Sequence, residues 1–410
     1  MVTVPTLIGE PLSAAWSVLA STRISALPRD RETEQTQRSR CCQSLAAASY
    51  SRGLSRHRAL TMDQGIQAAL KGAVDPVLAQ AQIPGVAIAI QIANEPLLTL
   101  GIGYQDLGQT IPLSTDASFY IYSVTKSLIA AAVLHQVSAG CLGLDAPIQD
   151  YWPNFPVATP ITLRQILSHS SGLPDYGGLP AYHEAVKTTP DAPWSPIAFL
   201  EVASQRDLLF DPGQGWAYSN IGYLALKLLL EKVTGRSMED CLDELFFAPL
   251  GLRQTFVATS LHDVTCLMPG YTSIFGSGLE NMAQRYHPDW VSHGVVVSTA
   301  AELATMMHAL ITGQILDLTL IEQMAQPVHS LGSHPPLQNV ACGLGLFIDT
   351  ASPYGRVTGH NGGGPGYSIA AFHFSSLAGR ATTIAAATNR DGDNVGIDVA
   401  YAVARHLAQG

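Results

Sequence analysis

The chain has 410 residues, 47% of them apolar and only 13% charged, and its 32 acidic and 22 basic side chains leave a net charge of −10. A charged fraction about half the usual quarter excludes a disordered chain, and the acidic balance argues against a surface that tracks nucleic-acid phosphates. At this length single cores stop growing, so two lobes are expected.

Residues 1–60 hold eight arginines against four acids, a local +4 that leaves −14 on the rest. They show neither a helical nor a strand period, and residues 1–61 are predicted to be a poorly ordered extension. Their arginines follow the weakly apolar part, the reverse of a secretory signal. Met62 opens a helix-like stretch with Ile66, Leu70, Val74 and Leu78 on one face, so the functional protein is expected to begin there. Residues 85–91 and 97–104 are β-leaning runs around Asn94-Glu95-Pro96, a predicted hairpin.

From about 115 to 315 the pattern is mainly helical. Capping residues announce several helices: Thr162 before 163–168, Ser237 with Asp240, and Thr299 with Glu302. The leucines at 228–230 mark helix 222–232 as core. The longest apolar candidate, 127–144, is interrupted by His135 and Gln136, so no membrane span is expected. Short strand-like runs at 343–350, 354–358, 368–374 and 382–388 follow, and a helix over 395–407 closes the chain. Strands at both ends around a helical middle imply an α+β domain built from both termini.

Six cysteines, at 41, 42, 141, 241, 266 and 342, form no C-x-x-C, and no histidines form H-E-x-x-H or H-x-H. No metal is expected, and a hydrolase would need a side-chain nucleophile. G-x-S-x-G is absent, which disfavours a nucleophile elbow. Ser123-Val124-Thr125-Lys126 follows a strand-like segment and precedes an apolar helix. Residues i and i+3 share a helix face, so the lysine amine can reach the serine, which needs a nearby base. A helix start also offers N–H groups to an oxyanion. On its own the motif equally describes a helix cap with an exposed lysine.

Tyr218-Ser219-Asn220 follows a Pro/Gly-rich loop at 210–216. A phenol beside an ammonium can act as a base, and an amide can donate to a substrate carbonyl; a surface loop with capping residues is the alternative. Gly359-His360-Asn361-Gly362-Gly363-Gly364-Pro365-Gly366 ends a predicted strand. Its glycines would admit a substrate close to an edge-strand backbone, although a tight turn fits too. The strand–G-x-G-x-x-G–helix setting of a phosphate loop is missing.

Taken in order, Ser123-x-x-Lys126, Tyr218-Ser219-Asn220 and His360-Asn361-Gly362 resemble the serine β-lactamase and penicillin-recognising superfamily. The branch is the class C-like one, with D-Ala-D-Ala carboxypeptidases, D-aminopeptidases and lactamase-fold esterases. Leu167-Ser168-His169-Ser170-Ser171-Gly172-Leu173 and Phe210-x-Pro212-Gly213 are similar to its supporting segments. The resemblance covers 62–410. It implies a β-lactamase/transpeptidase-like α+β fold: an antiparallel sheet with flanking helices plus an inserted helical lobe. The α/β lobe is expected at about 62–114 and 316–410, the helical lobe at about 115–315, and the site between them.

By that resemblance Ser123 is the nucleophile, Lys126 its activating partner, Tyr218 a proton shuttle, and Asn220 a substrate-positioning amide. His360, Asn361 and Gly362 would bind substrate from a facing edge strand, and the N–H groups of Ser123 and Gly363 would form the oxyanion hole. No metal or organic cofactor is implied. Where many members have Lys-Thr-Gly this chain has His360-Asn361-Gly362, so a fixed cation and a hydroxyl are missing; His is mostly neutral at pH 7. An ester or amide without a free carboxylate therefore fits best.

The expected function is hydrolysis of small-molecule esters, amides or peptides through an acyl-Ser123 intermediate, with esterase-like activity favoured. D-Ala-D-Ala carboxypeptidase or D-aminopeptidase activity comes next, then β-lactamase. The rival of another class is a non-catalytic binder of peptides or cell-wall fragments; an intact Ser123, Lys126 and Tyr218 argues against it. His169 is expected to be structural, and Trp216 and Tyr367 to line the cleft or the core. The scattered cysteines favour a reducing compartment, whereas many proteins of the resembled family face the cell wall.

Overall fold

A computed structural model describes residues 64–276 and 278–409. The expected extension over 1–61 and the start near Met62 lie outside the described residues. The first two strands are β1 (Gly85–Ile92) and β2 (Leu98–Gly103). The middle of the chain holds β3 (Ser118–Tyr120), β4 (Phe256–Ala258), β5 (Tyr271–Thr272), β6 (Glu280–Asn281) and β7 (Val295–Thr299). The C-terminal part adds β8 (His329–His334), β9 (Leu337–Cys342), β10 (Phe347–Asp349), β11 (Val357–Gly364), β12 (Tyr367–Leu377) and β13 (Arg380–Thr388).

Both ends of the described chain enter one eight-stranded sheet, ordered β2-β1-β13-β12-β11-β10-β9-β8, with every pair antiparallel. β1 lies inside it, joined to β13 from Val86↔Thr388 to Ile92↔Thr382, and is therefore buried on both faces. The period of two then sorts side chains by size. Val86, Ile88, Ile90 and Ile384 join a cluster with Leu70, Val74 and Leu78 of helix Gln64–Ala81 and Val399 and Val403 of helix Val395–Leu407. Ala87, Ala89, Ala385 and Ala387 face the other way, into the larger core that includes helix Ala300–Ile311. Burying each isoleucine is worth roughly 1.5–3 kcal/mol, and the alanines allow that helix to approach closely.

The caps read from the sequence are present. Thr162 forms a reciprocal box with Gln165, Ser237 does so with Asp240, and Thr299 accepts from the Glu302 N–H. Helix Thr125–Ser138 is buried around its whole circumference over residues 125–134, as suits an apolar core helix.

Four features differ from the sequence reading. β8 and β9 were not foreseen, because β8 is an edge strand, half exposed and polar, with no apolar alternation to announce it. The middle segment carries the small sheet β3-β7-β4 as well as helices. Helix Ala300–Ile311, inside the expected helical lobe, packs on the large sheet; an apolar face in a sequence does not say which partner will cover it. β11, expected at an edge, lies between β10 and β12. However, β10 pairs only with residues 357–359, so residues 360–364 run past its end and form a local open edge.

Candidate active site

The chain leaves β3 through a single 3-10 turn, Tyr122–Val124, directly into helix Thr125–Ser138. Tyr122 has φ +45°, a conformation uncommon for any residue with a side chain. Such strain persists only where packing enforces it: the Tyr122 ring lies against Gly364, and its hydroxyl donates to the Pro365 carbonyl at 2.5 Å. This turn sets Ser123 at the helix start, half-buried, with Lys126 fully buried one turn later. Lys126 Nζ is 3.1 Å from Ser123 Oγ.

Burial holds the Lys126 pKa well below its ordinary 10.5, opposed only in part by the negative charge of Asp175. Among the described residues no carboxylate lies within ion-pair distance of Nζ. The amine therefore reaches its unprotonated form more easily than an exposed lysine.

Tyr218 is placed by two segments zipped together. The Leu209 N–H donates to the Gly172 carbonyl, Gly213 N–H to Ser170, and Ala217 N–H to His169, at 2.8, 2.8 and 3.0 Å. Gly172 has φ +77°, and a Cβ there would sit 2.3 Å from the Phe210 carbonyl oxygen, so glycine is required for this approach. His169 Nδ1 accepts from the Ser219 N–H at 3.1 Å, which puts its proton on Nε2, and its ring packs against Tyr218 with centroids 4.3 Å apart. That is the structural role expected of it. Ser219 then caps helix Asn220–Thr234.

The Tyr218 ring centroid is 4.9 Å from Lys126 Nζ. Burial drives its pKa far above 10, while interaction with the Ser123 side chain pulls the other way. Burial thus disfavours the charged form of each partner, the ammonium and the phenolate. A buried phenolate is costly, so the Tyr218 hydroxyl is held in its protonated form.

Asn220 Oδ1 accepts from Lys126 Nζ at 2.7 Å, while its Nδ2 and backbone N–H donate to Asp175 at 3.0 and 2.8 Å. The amide oxygen and one amide N–H are engaged by protein groups, so Asn220 orients Lys126.

His360 is buried, and its Nδ1 lies 2.5 Å from the Asn361 carbonyl oxygen. A carbonyl only accepts, so Nδ1 carries the proton and Nε2 is left as an acceptor. Burial, and then the nearby Lys126, push its pKa down to about 3. Gly362 backs onto the Ser123 turn: a Cβ there would lie 2.3 Å from the Ile121 carbonyl oxygen and 3.1 Å from the Ser123 nitrogen. Gly363 follows on the open edge with no atom within 4 Å of its would-be Cβ. Asn361 turns away, its Nδ2 donating to Asn394 Oδ1 at 3.1 Å, because successive strand residues face opposite sides. Tyr367 belongs to the core, its hydroxyl donating to the Met268 carbonyl, and Trp216 meets His169 edge-on at 6.1 Å.

Two residues at the site escaped the sequence reading. Asp175, two residues after the Ser171-Gly172-Leu173 stretch, anchors Asn220. His293 precedes β7 and lies against Lys126 Nζ. Neither belongs to a spaced motif; only proximity to the S-G-L segment could have flagged Asp175.

The chain is similar to proteins of known name and structure. Penicillin-binding protein 4* of Bacillus subtilis (strain 168) is 27% identical over 299 residues, which is 70% of this chain and 64% of that protein. Esterase EstB of Burkholderia gladioli is 30% identical over 210 residues, 48% of this chain and 53% of the esterase. The chain thus matches between half and two thirds of the length of these curated relatives. The crystal structure of D-amino acid amidase from Ochrobactrum anthropi SV3 complexed with L-phenylalanine amide superposes with a TM-score of 0.70 at 26% identity, covering 84% of this chain and 98% of the amidase. The family model described as Beta-lactamase matches residues 70–409, and the chain belongs to that family.

Proposed function

We propose that the protein is a serine hydrolase of esters, amides or small peptides that works through an acyl-Ser123 intermediate, with neutral esters as favoured substrates. The observation that carries this reading is the buried Lys126 amine, 3.1 Å from Ser123 Oγ and without a paired carboxylate among the described residues. A base near its working pH takes a proton most effectively. Lys126 removes the Ser123 hydroxyl proton as Oγ bonds to the substrate carbonyl carbon, and the carbonyl π electrons move to oxygen. The Ser123 and Gly363 N–H groups receive that oxyanion.

Collapse of the tetrahedral intermediate breaks the bond to the alcohol or amine. The leaving group departs with the proton, relayed from Lys126 through the Tyr218 phenol, which gives one proton and takes another. Water then attacks the acyl carbonyl and passes a proton to the same pair. The second collapse returns a proton to Ser123 Oγ and frees the acid. Lys126 and Tyr218 titrate together as one unit.

A neutral His360 supplies an acceptor and no cation, which supports substrates lacking a carboxylate at that position. The likeness to D-amino acid amidase favours D-aminoacyl amides as a second reading. The test is a nitrophenyl ester followed in the pre-steady state. A burst stoichiometric with enzyme is expected, with turnover lost in Ser123→Ala; wild-type turnover in that variant would reject the acyl-serine reading. A panel of neutral esters, D-aminoacyl amides, D-Ala-D-Ala peptides and a chromogenic cephalosporin then ranks the substrates.

A further inference from the structure

Lys126 has a third partner that none of the three motifs announces. His293 is buried in the turn before β7, with Nε2 at 3.2 Å and Nδ1 at 3.4 Å from Lys126 Nζ. A free amine has two N–H donors and one lone pair. Its neighbours here are the Asn220 amide oxygen at 2.7 Å, the Ser123 hydroxyl at 3.1 Å, and this imidazole. Asn220 presents only an acceptor, because its Nδ2 is committed to Asp175. If Asn220 takes one N–H and His293 the other, the lone pair is left facing the Ser123 hydroxyl proton. Without an acceptor at 293 the amine can turn an N–H toward Ser123 Oγ, and its lone pair then points away from the proton it must take.

We propose that His293 is a positioning residue, a neutral imidazole that accepts an N–H from Lys126 and so aims the amine lone pair at Ser123. The inference rests on the acyl-Ser123 reading above. An imidazole suits this position better than a carboxylate, since an adjacent negative charge would hold Lys126 as ammonium. Burial and the neighbouring Lys126 keep His293 itself neutral. The ionisable groups facing the pair are Asp175 from the loop after Gly172, Tyr218, Tyr223 and Lys227 from around helix Asn220–Thr234, His169 beneath Tyr218, and His360 from β11.

The experiment compares His293→Gln, which keeps an acceptor, with His293→Leu, which removes it, on a nitrophenyl ester across the active pH range. The Leu variant is expected to lose about tenfold in kcat at unchanged KM, the worth of one hydrogen bond. Its acidic limb should move to lower pH, because accepting a hydrogen bond favours the ammonium. The Gln variant should stay within about threefold of wild type. Wild-type kcat in the Leu variant, or equal losses in both variants with an unmoved acidic limb, would overturn the proposal in favour of packing. If neither variant folds, His293→Ala with added imidazole decides: recovery of kcat supports the proposal and no recovery overturns it, after subtracting the rate of Ser123→Ala in the same imidazole. Ser123→Ala without additive keeps the two ideas separate, since wild-type turnover there rejects the acyl-serine reading whatever the His293 variants do.

Discussion

Asn220 holds Lys126 in place: its Oδ1 accepts from Nζ at 2.7 Å while its Nδ2 is tied to Asp175 at 3.0 Å. The carboxylate thus acts on the amine through an amide, close enough to raise its pKa yet too far to pair with it. Burial wins that contest and holds the lysine pKa down.

Asp175→Asn should therefore shift Lys126 further in the direction burial already drives it. Removing the one charge that raises the lysine pKa lowers that pKa, so the acidic limb of kcat/KM moves to lower pH. Rates at neutral pH should fall by less than about tenfold, because asparagine keeps an acceptor for the Asn220 backbone N–H. A limb that moves to higher pH would contradict this electrostatic account.

Lys126→Arg tests whether the amine must give up its proton. Guanidinium stays protonated in proteins and cannot act as a base. The expected loss in kcat/KM is about 10²–10⁴, the usual share of general base catalysis. Labelling of Ser123 by a fluorophosphonate should slow in parallel, and a variant that labels at the wild-type rate would assign the base elsewhere.

Gly362→Ala should separate chemistry from folding. The new methyl would meet the Ile121 carbonyl at 2.3 Å and force β11 away from the Ser123 turn. Displacing an oxyanion donor by about 1 Å costs on the order of 10²-fold in rate, while overpacking costs about 1–3 kcal/mol of stability. Single-turnover acylation and thermal unfolding measured on the same sample give both quantities, and an unchanged acylation rate would remove the open edge of β11 from the mechanism.

Stability should fall as the pH drops below about 6.5. His360 is held neutral down to about 3 and His373 down to about 4, and His169 and His293 are also held well below 6.5, all chiefly by burial. Unfolding releases these imidazoles to an ordinary pKa near 6.5. Between that value and the depressed native one, the unfolded chain binds more protons. Stability is thus complete above pH 6.5 and declines by roughly 1.4 kcal/mol per pH unit for each such histidine as the pH falls. Urea unfolding at pH 7 and pH 5 measures the slope, and His373→Asn should reduce it by about one proton. A slope of zero or of opposite sign would show that these rings are protonated in the native state.

The sequence by itself determined the chemistry of the site's best-defined members and the outline of the fold. Ser123 and Lys126 are three residues apart on one helix, and helix geometry brings such residues together whatever the rest of the chain does. The helix caps at Thr162, Ser237 and Thr299 are likewise local. Charge environment and partner choice are not local. Asp175 acts on Lys126 through Asn220 across 49 positions of chain and His293 meets it across 167, and no spacing rule reaches that far. That the charged forms of Lys126 and Tyr218 are disfavoured and that His360 is neutral are consequences of burial, which exists only once the sheet and the helices have closed around these groups. Tertiary structure alone also decided that β11 runs past the end of β10, because the length of a neighbouring strand leaves no trace in the glycines it exposes.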